Sequence, residues 1–394
     1  MNLALNDAQH FMQQHAIDGW LLYDFRGSNP VFWQTLGTTC PTSRRNYLWI
    51  PATGDPCLLL HNLDRLEFAT IDLPKKTYVT WQELQAALRA LTSGSGRVAM
   101  EYSAGGAIPM HSWVDAGTIE SVRAMGLEVV SSADLFQAAA TAWSRKSLDL
   151  HRKACIEVNE IKDLAFAQIA DTLSQNTSVT EFDIALFIRN QFDRRGLYFD
   201  HGPIVAANEH SGDPHFEPSA ENHSPIRKGD WILIDLWAKY HDPDAIYCDI
   251  TWLGFAGNQP SDKHQAVFNH VTGARDAVVD ALEDAWQTNT TVQGWQMDRV
   301  ARTFIEETGY GAYFSHRTGH SMGISPTAHA LGVNLDDLET HDTRAILPGV
   351  GFSVEPGIYL EDFGVRSEID MYIDPENGPV VTSSIQHDII CLDV

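Results

Sequence analysis

Four carboxylates and one imidazole stand where such side chains are seldom found. Asp235 lies in WILIDLWA and Asp249 in YCDITWLGF, two apolar, strand-like runs. Glu355 lies in GVGFSVEPGIYL and Glu368 in FGVRSEIDMYI. Between the pairs comes HRTGHSMG, where Gly319 and Gly323 flank His320. Carboxylates are depleted in strands, and burying one is costly unless it is paired or coordinates a metal. Oxygen-rich donors with a single nitrogen suit hard or borderline divalent ions: manganese first, with cobalt, zinc or iron as alternatives. Five donors with four negative charges over-supply one ion, so the set suits two divalent metal ions.

Each residue alone has a plainer reading. A strand-end aspartate can face water, Glu-Pro-Gly is a chain reversal, and Arg366 beside Glu368 makes a salt-bridged pair. Asp235 and Asp249 sit mid-run, which counts against the first of these. The loop AKYHDPDA joins their strands as a hairpin, so both side chains can face one pocket. Arg366 and Glu368 point to one strand face, which lets Arg366 support a ligand carboxylate from outside the metal's own donors. His316 precedes His320 at a spacing that a helix would align, but Gly319 disfavours that helix. His320 is therefore the ligand and His316 an outer supporting residue. Order and number carry the argument: D…D…GH…EPG…VRSE falls between residues 235 and 368.

Behind these residues lies a chain of 394 residues, which favours two domains over one core. Strand-like runs at 19–25, 45–51, 56–62, 75–81 and 97–102, with helical segments at 82–93 and 111–126, predict an α/β unit on a mixed sheet. The rhythm breaks at 142–150, setting the expected domains at 1–143 and 144–394. Two helices follow, at 148–175 and from a Thr180 cap to Gly196. A loop-rich stretch, 199–223, holds His201, His210, His215 and His223. The aspartate strands come next, then helices at 262–284 and 291–308, then strands again. This order hints at a duplicated half without any repeat in sequence.

A formal net charge of −25 argues against nucleic acid or an anionic membrane as partner. Five scattered cysteines without a CxxC read as reduced thiols, which points to the cytoplasm. The N-terminal MNLALNDAQHFMQQ lacks the pattern of a signal peptide, and no apolar run is long enough to span a membrane.

From about residue 148 onward the chain resembles the pita-bread metallopeptidases: methionine aminopeptidase, aminopeptidase P and prolidase, with creatinase as a metal-free relative. The N-terminal half resembles the smaller creatinase-type domain that prolidases and aminopeptidases P carry. The resemblance implies a creatinase-like α/β domain followed by a pita-bread catalytic domain of α+β type. It implies that Asp235, Asp249, His320, Glu355 and Glu368 ligate two ions, with Asp249 and Glu368 bridging. It gives His215, in GDPHFEP, and His329 contacts to the substrate, and gives Glu355 a proton-transfer role. The Asp–Asp loop is a few residues longer than in the family. Thr327 holds the count of the family's second active-site histidine, and His329 follows two residues later. Where prolidases place a carboxylate-binding arginine, this chain has His341, with Arg344 three residues on. The implied activity is that of a homodimeric Xaa-Pro dipeptidase (prolidase) acting on short peptides with proline after the scissile bond. The alternatives are an Xaa-Pro aminopeptidase, a non-peptide metalloenzyme such as a sulfonium-propionate lyase or a phosphotriester-tolerant hydrolase, and a catalytically inactive interaction module.

Overall fold

The computed structural model describes residues 4–394. The chain forms two compact units, Met1–Ala142 and Trp143–Val394. The first is built on a six-stranded mixed sheet. Its order is Lys75–Tyr78, Cys57–His61, Arg45–Pro51, Gly19–Phe25, Arg97–Met100 and Glu128–Ser131. Gly19–Phe25 pairs antiparallel with Arg45–Pro51 along its whole length and parallel with Arg97–Met100. Helix Trp81–Leu91 takes in the last residue of the expected strand 75–81, which ends at Tyr78, because Thr80 and Glu83 form a reciprocal capping box that starts the helix at Trp81. Helix Pro30–Leu36 was not expected from the sequence. Its signal is nonetheless present: Asn29 caps the N–H groups of Val31 and Phe32, and Pro30 opens the first turn.

The second unit stacks two helices on a sheet, twice. Ser144 caps helix Arg145–Ser174, and Thr180 with Asp183 boxes the start of Glu181–Arg194. Ala154, Val158, Ile161, Ala165 and Ile169 recur at three- and four-residue steps and form the buried stripe of the longer helix. That stripe shares a core with Ile232, Ile234, Leu236, Ala238, Cys248 and Ile250. These residues come from strands Trp231–Tyr240 and Cys248–Phe255, which pair antiparallel as the expected hairpin. Strand Ile204–Ala207 adds to the other side of Trp231–Tyr240. The second half repeats the layout. Helices Asp262–Gln287 and Gly294–Glu307 share a core with the sheet Ser321–Met322, Gly351–Val354, Ile369–Asp374, Gly378–Val381.

Register then decides where the aspartates go. Asp235 pairs with Thr251 and Trp237 with Asp249. Side chains alternate along a strand, so the residues between these four face the helices. Asp235, Trp237, Asp249 and Thr251 share the opposite face, which looks toward the second half. No helix among the described residues is long and apolar enough to cross a membrane.

Candidate metal centre

Five side chains from five separate segments line one cavity of about 420 Å³: Asp235, Asp249, His320, Glu355 and Glu368. Only the aspartates lie within strands. Glu355 follows Gly351–Val354 and precedes the short strand Gly357–Tyr359, and Glu368 fills the break between Gly364–Arg366 and Ile369–Asp374. His320 directly precedes Ser321–Met322 and is in no helix.

Backbone contacts hold these segments. The Ser353 hydroxyl accepts the His320 N–H at 2.9 Å, and the Glu355 N–H donates to the Thr318 carbonyl at 2.7 Å. Gly319 permits this approach, since a Cβ there would fall 2.0 Å from the Ser353 carbonyl oxygen. The loop before it is anchored by Asp298. One oxygen of Asp298 accepts both the N–H and the hydroxyl of Thr318, while Arg302 grips Asp298 and the carbonyls of Phe314 and His316.

The donor atoms converge. His320 Nε2 lies 3.5 Å from Asp249 Oδ2, 3.7 Å from Glu355 Oε1 and 4.0 Å from Glu368 Oε1. Donor atoms of Asp249, His320 and Glu368 all lie within 4.8 Å of one another. Burial drives the His320 pKa well below its usual value, with His329 and Arg317 adding to the effect. The ring is therefore neutral. Its Nδ1 faces the Ser321 carbonyl at 3.2 Å, which places the proton there and leaves the Nε2 lone pair facing the carboxylates.

The carboxylates outnumber the cations beside them. Burial, then Asp235, Asp370 and Glu355, push Asp249 well above the carboxylate range. Burial, then Asp249 and Glu355, do the same to Glu368. Burial raises Glu355 to about 7 against the pull of Arg366 and Arg317. Burial also raises Asp235, although Arg366 offsets it. Asp235 Oδ2 accepts from Arg366, but Oδ1 is buried with no partner. Such an orphaned carboxylate oxygen is rare in a folded interior. One unpaired oxygen, the buried carboxylates of Asp249 and Glu368, the half-buried Glu355 and a free imidazole nitrogen together form a donor set that fits divalent cations.

Arg366 supports the cluster differently from the expectation. It ends its strand before the break, so it does not share a continuous strand face with Glu368. It binds Asp235 directly and reaches Glu368 through Thr251: Nε donates to Thr251 Oγ1 at 3.0 Å, and that hydroxyl donates to Glu368 Oε2 at 2.8 Å. Its Nη1 also donates to Tyr359 Oη at 3.0 Å. The Tyr359 hydroxyl lies 2.7 Å from His316 Nε2, and His316 Nδ1 lies 2.7 Å from the Arg317 carbonyl. With Nδ1 as donor, Nε2 accepts from Tyr359. Burial, with Arg366 next, lowers the His316 pKa to about 3, which keeps the ring neutral.

His215, exposed at the cavity edge, and His329 also line the cavity. His329 keeps an exposed edge, but its ring lies 4.0 Å, centroid to centroid, from that of His320, and the partial desolvation there followed by Arg317 lowers its pKa to about 4. His341 and Arg344 correct the expectation for carboxylate recognition, because neither lines the cavity. His341 is exposed and bonded to Asp337 at 2.6 Å. Arg344 is buried and spends its guanidinium on Asp342 and the Leu331 carbonyl. The residue that sequence reasoning missed is Arg317. It lies on the cavity wall with Nη2 3.3 Å from His329 Nδ1 and Nη1 3.8 Å from Glu339. Its place inside HRTGH, three residues before His320, was the available signal.

A fold of two helix-backed sheets with a buried cluster of four carboxylates and one imidazole between them defines a pita-bread metalloenzyme scaffold. The model of metallopeptidase family M24 matches residues 149–375, and the chain belongs to that family. The Bacillus subtilis (strain 168) protein YkvY, whose name carries a provisional dipeptidase assignment, is 28% identical over 243 residues. That match covers 59% of this chain and 61% of YkvY, so the chain spans about three-fifths of that relative's length. The crystal structure of dipeptidase PepE from Mycobacterium ulcerans superposes with a TM-score of 0.70 at 22% identity, over 99% of this chain and 97% of that one. A recombinant prolidase from Thermococcus sibiricus gives 0.63 at 21% identity, over 98% of each chain. At these identities the structures speak for the fold.

Proposed function

We propose that this chain is a dinuclear-metal dipeptidase that cleaves the bond before proline in Xaa-Pro dipeptides. The observation that carries the reading is the convergence of Asp235, Asp249, His320, Glu355 and Glu368 on one cavity large enough for a small ligand. The residue ranges expected for a creatinase-type domain and a catalytic domain belong to the same reading.

Asp249 and Glu368 would be shared between two ions. Asp235 would complete one coordination set, and His320 with Glu355 the other. Divalent ions held there supply Lewis acidity, polarising a carbonyl and letting a water lose its proton near neutral pH. The remaining work falls to side chains. Glu355, beside the Ser353 hydroxyl at 3.2 Å, takes a proton and returns it to the leaving imide nitrogen. Arg317 donates to His329 Nδ1, so the neutral ring keeps its proton on Nε2. His329 can then donate to a developing oxyanion, as can His215. An Xaa-Pro bond has no N–H for a protease to grip, and none of these contacts needs one.

Arg317 also removes the main reason for a non-peptide reading. The histidine at position 341 leaves no arginine where prolidases bind the dipeptide carboxylate, but Arg317 brings a guanidinium to the cavity from another loop. The test is turnover of Xaa-Pro dipeptides against Xaa-Pro tripeptides by metal-stripped protein given manganese or cobalt. Dipeptide turnover alone supports the proposal. Preference for tripeptides makes the chain an Xaa-Pro aminopeptidase, and no turnover of either overturns peptidase function.

A further inference from the structure

Behind the strand that carries Asp249 lies a second group of metal-ligating side chains that the peptidase reading does not use. His151 and Cys155 stand one turn apart on helix Arg145–Ser174, and Asp370 lies on strand Ile369–Asp374. Cys155 Sγ is 3.4 Å from His151 Nε2 and 3.7 Å from Asp370 Oδ2. His151 Nε2 is 3.9 Å from Asp370 Oδ2. Cys248 is the further neighbour of Cys155 and Asp370. All four residues are buried.

We infer that His151, Cys155 and Asp370 form a separate, sulfur-containing cation site that takes a borderline divalent ion such as zinc. Nothing in the peptidase reading is needed for it. Both sulfur separations fit: donors arranged tetrahedrally about zinc, with bonds of about 2.0–2.3 Å, stand roughly 3.3–3.7 Å apart, and the 3.9 Å between His151 and Asp370 closes to that range by a shift of a few tenths of an ångström. The imidazole is oriented for the task, because its Nδ1 faces the Tyr247 carbonyl at 2.7 Å and fixes the proton there. Thr382 Oγ1 lies 2.7 Å from Nε2. The same hydroxyl reaches the Asp370 carbonyl at 3.2 Å, so it has another partner when Nε2 turns to an ion.

Two observations favour an ion over a plain hydrogen-bonded network. Asp370 Oδ1 is buried with no partner. The groups around Asp370 are Cys155, Cys248, His151 and the Asp249 N–H, and none carries a fixed positive charge. A buried carboxylate in such company keeps its charge only beside a cation. Asp370 Oδ2 accepts the Asp249 N–H at 3.1 Å, so an ion here would brace the long helix against the strand holding Asp249. Since the site is enclosed, the ion would enter as the chain folds.

Cobalt substitution of the full-length protein tests this independently of any activity. Thiolate bound to cobalt(II) absorbs strongly in the near ultraviolet, whereas the carboxylate-and-His320 cluster has no sulfur to contribute. The expected result is a band in the wild type and in Cys391→Ser, which alters an exposed thiol. The band should vanish in Cys155→Ser, with bound cobalt falling by about one ion per chain. A folded wild type without the band, or a band that survives in Cys155→Ser, overturns the inference. If Cys155→Ser does not fold, X-ray absorption of the wild-type zinc protein decides. A sulfur neighbour at about 2.3 Å upholds the site, and oxygen and nitrogen neighbours alone refute it.

Discussion

Replacing Gly319 with alanine adds only one carbon and two hydrogens beside the cavity, yet it should disable the metal centre. The new Cβ would fall 2.0 Å from the Ser353 carbonyl oxygen and 2.9 Å from its carbon. Carbon and oxygen in weak contact stand about 3.3–3.6 Å apart, so the backbones must separate by roughly 1.3 Å. Neither can yield by rotating a side chain. Gly319 is also held on its other side, donating to Leu335 at 3.3 Å and accepting from it at 2.9 Å. The displacement therefore passes to His320, whose N–H is tied to Ser353 itself. Overpacking of this kind costs about 1–3 kcal/mol in stability, and a shift of about 1 Å at a reacting group costs about 100-fold in rate.

Gly323, the other glycine beside His320, supplies the control. A Cβ there meets only the Ala330 methyl at 3.3 Å, a contact that a shift of a few tenths of an ångström relieves. Kinetics on an Xaa-Pro dipeptide, urea unfolding and metal titration should be run on both variants. Gly319→Ala should lose about 100-fold in kcat/KM and bind metal more weakly, while Gly323→Ala stays near wild type. If Gly319→Ala keeps its kcat/KM and metal affinity within about twofold, close backbone packing is not what places His320.

Arg317→Gln should raise KM about 10- to 100-fold for dipeptides with a free carboxylate, the worth of one charge-assisted hydrogen bond; the same dipeptides with an amidated C-terminus should barely respond. Asp298→Ala should cost about 3–5 kcal/mol in urea unfolding, because it strands Arg302 without its buried partner and frees the Thr318 N–H. Glu101, buried in the first unit, predicts a pH effect. Burial raises its pKa to about 7, against hydrogen bonds from Trp20, Asn29, Ser132 and Tyr23. The folded chain thus holds a proton that the unfolded chain has already lost, so stability falls as pH rises from about 4.5 to about 7, by roughly 3 kcal/mol. Urea unfolding across that window should show the fall in wild type and a flatter profile in Glu101→Gln; parallel profiles would remove Glu101 as the cause.

Much of the fold was legible because the local signals agree with one another. Thr180, boxed with Asp183, marks a helix start that tertiary packing leaves in place. Runs such as GWLLYDF and RNYLWIP are buried on both faces of a central sheet and read as strands directly. The aspartate pair was legible because a carboxylate inside an apolar run needs a reason. The glutamates were legible as anomalies but not in placement: Glu355 and Glu368 sit in breaks between short strands, which periodicity does not resolve. Arg317 was hidden for a different cause. A guanidinium three residues before a ligand looks like surface charge until the bridge between Gly319 and Leu335 folds its loop over the cavity. His341 and Arg344 show the converse, since chain position suggested them while Asp337 and Asp342 claim them locally.

The two halves of the second unit explain why the cluster needs more than its own hydrogen bonds. Asp235 and Asp249 come from the first half, while His320, Glu355 and Glu368 come from the second. Direct ties across the seam include the Thr251 hydroxyl on Glu368 and the Asp249 N–H on Asp370. Arg366 adds one fixed positive charge. Bringing four carboxylates together from opposite sides sets each against the others, and that repulsion acts to part the halves. Under the proposed function, a cation shared by Asp249 and Glu368 would turn the same charges into attraction. Metal affinity would then be, in part, the free energy that closes the seam. On this argument chelation should loosen the contact between the aspartate hairpin and the glutamate strands before it unfolds either half, and hydrogen exchange can resolve that order. Faster exchange confined to residues 248–251 and 366–370 would support the argument, and uniform loss of protection across the unit would defeat it.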